Sequence, residues 1–168
     1  RIKGVCDLPI LVDCDTGWGS GLNISKTIKE MINAGADAVH LEDQVSEKRC
    51  GHRPGKEIVS SDEMEDRIKA AKDSVDNKNF MLMARTDAFS KEGISSVIDR
   101  SNAYIEAGAD SIFPEAITKL DDYLEISKNV NAPILANITE FGLTPMFEIN
   151  ELKNSGVKMI LYPLSAFR

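Results

Sequence analysis

Cysteine, aromatic side chains and net positive charge are all scarce in this chain, and each shortage removes a class of function. The 3 cysteines, Cys6, Cys14 and Cys50, are odd in number, widely spaced and outside any Cys-x-x-Cys or Cys/His ligand pattern. Neither a disulfide framework nor a structural zinc site is expected. A reducing setting follows, the bacterial cytoplasm or, in a eukaryote, the mitochondrial matrix. Asp and Glu number 27 against 20 Lys and Arg, and no basic stripe is interleaved with aromatics, so a nucleic-acid partner is not expected. No apolar run approaches the ~20 residues that a membrane-crossing helix needs, and no secretory signal opens the chain, so no membrane partner is expected either. Both ends look cut, since the chain opens at Arg1 and stops at Arg168 directly after a strand-like run.

What is present is a repeating pattern. Short runs rich in Val, Ile, Leu and Met recur at residues 9–12, 38–41, 80–84, 111–113, 133–136 and 158–162, at a spacing of about 30 residues, the length of a βα unit. Helical periodicity lies between them. Ile24, Ile28, Met31 and Ile32 mark one apolar stripe, and Met64, Ile68 and Ala71 another, opened by Ser60 with Glu63 three residues on, a helix-start signature. Ala34-Gly35-Ala36-Asp37, Ala107-Gly108-Ala109-Asp110 and Ser155-Gly156-Val157-Lys158 put a glycine between helix and strand, where a left-handed cap is needed. The chain is therefore an α/β domain with a parallel sheet.

Polar residues follow every run: Asp13 and Asp15; Glu42 and Asp43; Arg85 and Asp87; Glu115; Asn137, Thr139 and Glu140; Ser165. Any one of them has an ordinary explanation as a cap for the next helix. Together they suggest the mouth of a (β/α)8 TIM-type barrel, where sites lie at the strands' carboxyl ends. Such a barrel takes about 250 residues, so residues 1–168 are expected to be a single partial barrel domain of about six βα units, truncated at both ends.

The chemistry concentrates at that mouth. Asp13 and Asp15, two apart in a strand, would share a face, and two near carboxylates call for a cation; Mg²⁺ suits a few carboxylates completed by water and substrate oxygens. Gly17 and Gly19 give a turn that lets backbone approach a ligand, without the Lys-Ser/Thr of a phosphate-binding P-loop. In Lys48-Arg49-Cys50-Gly51-His52, neighbouring cations favour a thiolate over a thiol, which makes Cys50 a candidate acid or nucleophile; a solvated basic loop with an incidental cysteine is the plain alternative. His52 either takes part in proton transfer or bonds a carboxylate and shapes the loop. Arg85, at the tip of an apolar strand, needs an anion: a substrate carboxylate, or Glu42, Asp87 or Glu115.

Asp13-Cys14-Asp15-Thr16-Gly17-Trp18-Gly19, Glu42-Asp43-Gln44, Lys48-Arg49-Cys50-Gly51-His52-Arg53-Pro54, Met83-Ala84-Arg85-Thr86-Asp87, Phe113-Pro114-Glu115 and Asn137-Ile138-Thr139-Glu140 together resemble the isocitrate lyase and phosphoenolpyruvate mutase superfamily. The resemblance runs over essentially the whole chain, and the cysteine loop points to its lyase branch, most closely the enzymes acting on 2-methylisocitrate. It implies a Mg²⁺-dependent retro-Claisen cleavage of that tricarboxylate to pyruvate and succinate in the methylcitrate cycle of propionate catabolism, with Mn²⁺ as the alternative metal. By the same resemblance Asp13 and Asp15 would hold the metal, directly or through water, with Glu42 in its outer shell. Cys50 would protonate the succinate fragment. Arg85, Glu115, Asn137 and Thr139 would bind substrate carboxylates and hydroxyl, with Gly51 and His52 at the succinyl end.

Substrate choice would rest on Phe113, Leu161 and Pro163, where isocitrate lyases tend to carry Trp, Phe and Thr; the smaller, more apolar set leaves room for a methyl worth about 0.8 kcal/mol on burial. Two departures from the pattern are Cys14, where alanine is usual, and Trp18, where Phe or Tyr is usual. The resemblance also implies two strands ahead of these, with a Ser-Gly-Gly carboxylate loop, which would make the six here strands 3 to 8 of the (β/α)8 barrel, as well as C-terminal helices that swap between subunits and a homotetramer. On that basis the isolated stretch is expected to be an open barrel with little activity. Competing readings are isocitrate lyase, dimethylmalate lyase or a phosphonopyruvate-processing enzyme and, in a different class, a non-catalytic α/β scaffold. A scaffold would show decay at Cys50, Asp13, Asp15 or Arg85, and none is decayed.

Overall fold

A computed structural model describes residues 1–76 and 79–167. Strands β1 (Leu11–Asp13), β2 (Ala38–Glu42), β3 (Met81–Thr86), β4 (Ser111–Pro114), β5 (Leu135–Asn137) and β6 (Met159–Leu161) alternate with helices α1 (Gly21–Asn33), α2 (Ser61–Lys72), α3 (Phe89–Glu106), α4 (Leu120–Asn129) and α5 (Ile149–Asn154). All strand pairs are parallel. β1 to β4 form one sheet in sequence order, β5 pairs with β6, and a parallel bridge between Ile112 and Ile134 joins the two. This is the partial (β/α) barrel that the repeating pattern predicts.

Period-2 alternation sorts the strand residues onto two faces. Val39, Leu41, Leu82, Ala84, Ile112 and Ala136 face the helices and share one core with Ile24 and Ile28 of α1, Met64, Ile68 and Ala71 of α2, and Tyr104 of α3. Met83, Phe113 and Leu135 form a second, inner cluster with Met81, Met159 and Leu161. Continuing each inner row to the strand tip leads to Asp13, Glu42, Arg85 and Asn137, with Glu42 and Arg85 directly opposite in the β2–β3 register.

The predicted helix stops hold. Gly35, Gly108 and Gly156 have φ of 86°, 117° and 87°, the left-handed cap that glycine adopts without a Cβ clash. Ser60 Oγ accepts the Glu63 N–H at 3.2 Å, capping α2. The strands extend further toward their polar ends than the apolar runs suggested, because Asp13, Glu42, Arg85, Thr86 and Asn137 lie inside them; the ladder continues past the last apolar side chain.

One expectation is overturned here. Asp13 and Asp15 do not share a strand face: β1 ends at Asp13, and Asp15 has φ 49° in a left-handed turn. Asp13 Oδ1 accepts the Asp15 N–H at 2.9 Å. A carboxylate bonding the backbone two residues on gives the chain a local alternative to the ladder, and this stops the strand.

Candidate active site

A lysine joins Asp15 to Glu42 rather than to Asp13. Lys48 Nζ lies 2.6 Å from Asp15 Oδ1 and 3.8 Å from Glu42 Oε2. Trp18, in place of the usual Phe or Tyr, donates its indole N–H to Asp15 Oδ2 at 2.8 Å. Burial works to raise the Asp15 carboxyl, but the hydrogen bonds from Lys48 and Trp18 outweigh it and hold the group below the usual carboxylate range. Glu42 is fully buried and neither of its oxygens has a hydrogen-bond partner among the described residues; burial pushes its carboxyl up to about 7 despite the nearby Arg85 charge. Between the aspartates, Cys14 is buried, and its thiol is pushed up to about 12 by that burial and then by the two carboxylates.

No set of three or more His, Cys, Asp and Glu side chains among the described residues forms a closed metal cage. The donors nevertheless fit Mg²⁺, which takes one or two carboxylates and leaves its other positions to water and substrate. The two buried Glu42 oxygens have charged neighbours but, among the described residues, no hydrogen bond of the kind the water of such a shell supplies, and the Lys48 ammonium marks a place where positive charge is already stabilised.

Arg85 is the hub of the mouth. It is buried, donates from Nε to Asp87 Oδ2 at 2.9 Å and from NH2 to Asp87 Oδ1 at 3.2 Å, and lies 3.5 Å from both Glu42 Oε2 and Glu115 Oε2. Its guanidinium carbon stands 5.1 Å from the Phe113 ring centroid. All three acids that the sequence offered as partners are therefore present. Burial alone would lower the Arg85 pKa, but Glu115 and Asp87 more than compensate and raise it.

The cysteine loop folds across this hub. Its base is pinned by an antiparallel bridge between Gln44 and Ile58, and the Gln44 amide exchanges two 2.9 Å hydrogen bonds with the Arg49 backbone. A Cβ on Gly51 would overlap the Glu115 side chain and lie 2.5 Å from Arg85 NH2, so only glycine lets the loop seat there. His52 Nδ1 accepts the Leu143 N–H at 3.0 Å. The ring proton therefore sits on Nε2, 2.7 Å from Glu115 Oε1. Asn137 Nδ2 lies 3.3 Å from both Glu115 oxygens, while Asn137 Oδ1 is buried and has no hydrogen-bond partner among the described residues. Cys50 itself is exposed. Lys48, read from sequence as a neighbour of the Cys50 thiolate, has its ammonium at Asp15 instead.

The remaining predicted residues divide. Phe113 and Leu161 come together in the inner cluster. Pro163 is half-buried just beyond β6. Thr139 is half-buried at the start of the β5–α5 loop, its methyl group against Gly142. Asp43 faces away from the mouth: its carboxylate accepts from Thr86 Oγ1 at 2.7 Å, the Asp87 N–H at 2.9 Å and the Tyr104 hydroxyl at 2.9 Å.

Three features escaped the sequence. Lys56 Nζ donates to the Gly51 carbonyl at 2.6 Å and to Asp87 Oδ1 at 3.1 Å. Arg100 and Tyr104 of α3 reach Asp43 from behind the sheet. His40, beneath Asp13 at 3.7 Å, stacks edge-on against Phe113 with centroids 5.5 Å apart. The i, i+4 spacing of Arg100 and Tyr104 was a readable signal for a paired polar face; nothing local marked Lys56.

The model of the family described as phosphoenolpyruvate phosphomutase matches residues 1–168. The chain belongs to that family. Within the family it is 57% identical to the 2-methylisocitrate lyase of Shewanella oneidensis over 168 residues, covering 100% of this chain and 58% of that protein. It is also 57% identical to the 2-methylisocitrate lyase of Escherichia coli over 169 residues, covering 100% and 57%. The chain thus spans somewhat more than half the length of these curated relatives. Among solved structures, 2,3-dimethylmalate lyase, a phosphoenolpyruvate mutase/isocitrate lyase superfamily member, superposes with a TM-score of 0.94 at 32% identity over 99% of this chain and 56% of that one. Oxaloacetate acetylhydrolase bound to 3,3-difluorooxalacetate gives a TM-score of 0.90 at 33% identity, covering 95% and 55%. The family's fold and the superfamily resemblance read from the sequence are both borne out.

Proposed function

We propose that this chain forms part of a Mg²⁺-dependent carbon–carbon lyase that cleaves 2-methylisocitrate to pyruvate and succinate. The observation that carries this reading is the seating of Gly51 and His52, the two residues after Cys50, against Arg85 and Glu115, which brings a histidine, a guanidinium, a carboxylate and the Asn137 amide together. The 57% identity to relatives bearing that activity supports it.

A divalent cation held by Asp13 and Asp15, directly or through water, with Glu42 outside, would supply positive charge where negative charge develops on the pyruvate half. The chain's own residues do the rest. Arg85, already polarised between Asp87, Glu42 and Glu115, takes a substrate carboxylate at the NH1 side, where its contact to Glu115 is a loose 3.5 Å. Asn137 Oδ1 accepts from the substrate hydroxyl, and the Thr139 hydroxyl donates to a substrate carboxylate, which orients both groups. When the hydroxyl proton leaves to a base and the carbon–carbon bond breaks, the electron pair stays on the succinate carbon, and Cys50 delivers its thiol proton there. His52, fixed by Leu143 and Glu115, holds the succinyl end and the loop that carries the acid.

Phe113 and Leu161 shape the wall that admits the extra methyl, a discrimination of roughly 1–3 kcal/mol. The small tricarboxylate substrate, a homotetrameric assembly and a cytoplasmic location complete the proposal; no helix among the described residues is long and apolar enough to cross a membrane.

The test is pyruvate release from 2-methylisocitrate beside glyoxylate release from isocitrate, with and without EDTA, in the protein as its source makes it. Preference for the methylated substrate, lost with EDTA, supports the proposal. Preference for isocitrate removes the pocket argument and keeps the mechanism. Cleavage of neither substrate overturns the reading.

A further inference from the structure

Lys56 has no part in the proposed chemistry, yet it is almost wholly buried, with its side chain 3% exposed. A buried ammonium is expensive unless paired and hydrogen-bonded. Here it is both. Nζ donates to the Gly51 carbonyl at 2.6 Å and lies 3.1 Å from Asp87 Oδ1. Asp87 is fully buried and is the same carboxylate that holds Arg85 by two hydrogen bonds; burial works to raise it, but Arg85 and then Lys56 outweigh that and lower it.

The two acceptors of Lys56 belong to different parts of the molecule. Asp87 follows β3 and is anchored by its own N–H to Asp43. Gly51 is the residue after Cys50, at the crest of the loop, where its backbone lies against Arg85 and Glu115. One ammonium therefore ties the peptide adjoining the thiol to the counter-ion of the guanidinium, beside the tie that His52 makes to Glu115 and Leu143; within the loop the Arg53 N–H turns back to the Cys50 carbonyl.

We propose that Lys56 is a positioning residue of this site: through the Gly51 carbonyl and Asp87 it helps hold the Cys50-Gly51-His52 loop at a fixed height over Arg85. It touches no substrate and acts through the loop. The catalytic consequence rests on the reading of Cys50 given above, whereas the positioning itself does not. Lys48 does not share the role, since its ammonium is engaged at Asp15.

The experiment is amide hydrogen exchange on Lys56→Met, which keeps the stem and removes the ammonium, and on the shorter, uncharged Lys56→Gln, alongside steady-state kinetics. In at least one variant the amides of residues 50–53, 55 and 56 are expected to lose protection by tenfold or more while strand amides such as those of Met81 and Ile112 keep theirs. The kinetic loss should sit mainly in kcat, by about 10²-fold, the cost of a small misplacement of a catalytic group. Protection unchanged in loop and sheet alike overturns the assignment. Equal loss in both regions, or unfolding of both variants, makes Lys56 a general stability residue and overturns it too. If the wild-type protein cleaves none of the substrates, the proposed function fails, while loop exchange still decides the role of Lys56.

Discussion

Gly51 lies against Glu115 so closely that a Cβ at position 51 would overlap the glutamate side chain. Glu115 is buried and held by Asn137 and His52, so the loop rather than the glutamate must yield. Gly51→Ala should therefore cost about 1–3 kcal/mol of stability as an overpacking change and lower kcat/KM by roughly 10²-fold by lifting Cys50 and His52 from Arg85. Wild-type kinetics in this variant would mean that the loop is not seated on Arg85 during turnover.

The role assigned to Cys50 has a kinetic signature. Cys50→Ser keeps the shape of the loop but replaces a thiol with a far weaker acid. Turnover of 2-methylisocitrate should fall by about 10²–10⁴-fold while substrate binding, measured by calorimetry, stays within a few-fold. An unchanged kcat would remove Cys50 from proton transfer.

Glu42 predicts a pH dependence of stability. Its carboxyl sits at about 7 in the folded chain against an ordinary value of 4.5. Between those values the folded state keeps a proton that the unfolded state has released, so its contribution to stability falls as pH rises across the window, by at most about 1.4 kcal/mol per pH unit. Urea midpoints in EDTA should decline more steeply from pH 5 to 7 in the wild type than in Glu42→Gln. Adding Mg²⁺ near pH 7 should raise the wild-type midpoint by ligand linkage. Parallel slopes for the two proteins would show that burial does not hold a proton on Glu42.

Behind the sheet, the Tyr104 hydroxyl donates to Asp43 at 2.9 Å and accepts from Arg100 at 3.0 Å. Burial first, and the Asp43 charge second, raise the phenol's pKa, so it stays a donor through the physiological range. Tyr104→Phe removes one partner from each of two buried ionic groups and should destabilise the fold by about 1–3 kcal/mol. Because Asp43 also anchors the Asp87 N–H, kcat should fall as well. A urea midpoint within error of wild type would count against the network.

Much of this architecture was legible one residue at a time. The glycine stops at Gly35, Gly108 and Gly156 and the apolar stripes of α1 and α2 are local decisions, made by backbone sterics and a 3.6-residue period, and they stand where the sequence put them. Strand ends were less legible: the ladder continues through Glu42, Arg85 and Asn137, so a charged side chain read as a loop was the inner row of a strand. Asp15 failed for a related reason. Its spacing from Asp13 promised a shared face, but the Asp13 carboxylate bonds the Asp15 N–H and turns the chain.

By itself the sequence determined that the chain is a run of βα units with polar strand tips, and that Cys50, His52, Arg85, Glu115 and Asn137 carry the chemical character of a site. Those properties depend on residue type and near-neighbour spacing. The tertiary structure alone decided which charges meet. That Lys48 stands at Asp15 and Glu42, that Lys56 spans Gly51 and Asp87, and that Asp43 turns toward Arg100 and Tyr104 depend on contacts between segments from 5 to 61 residues apart. In a buried, low-dielectric mouth the pairing that leaves fewest charges unmatched prevails, and that balance is struck only when all the strands are in place.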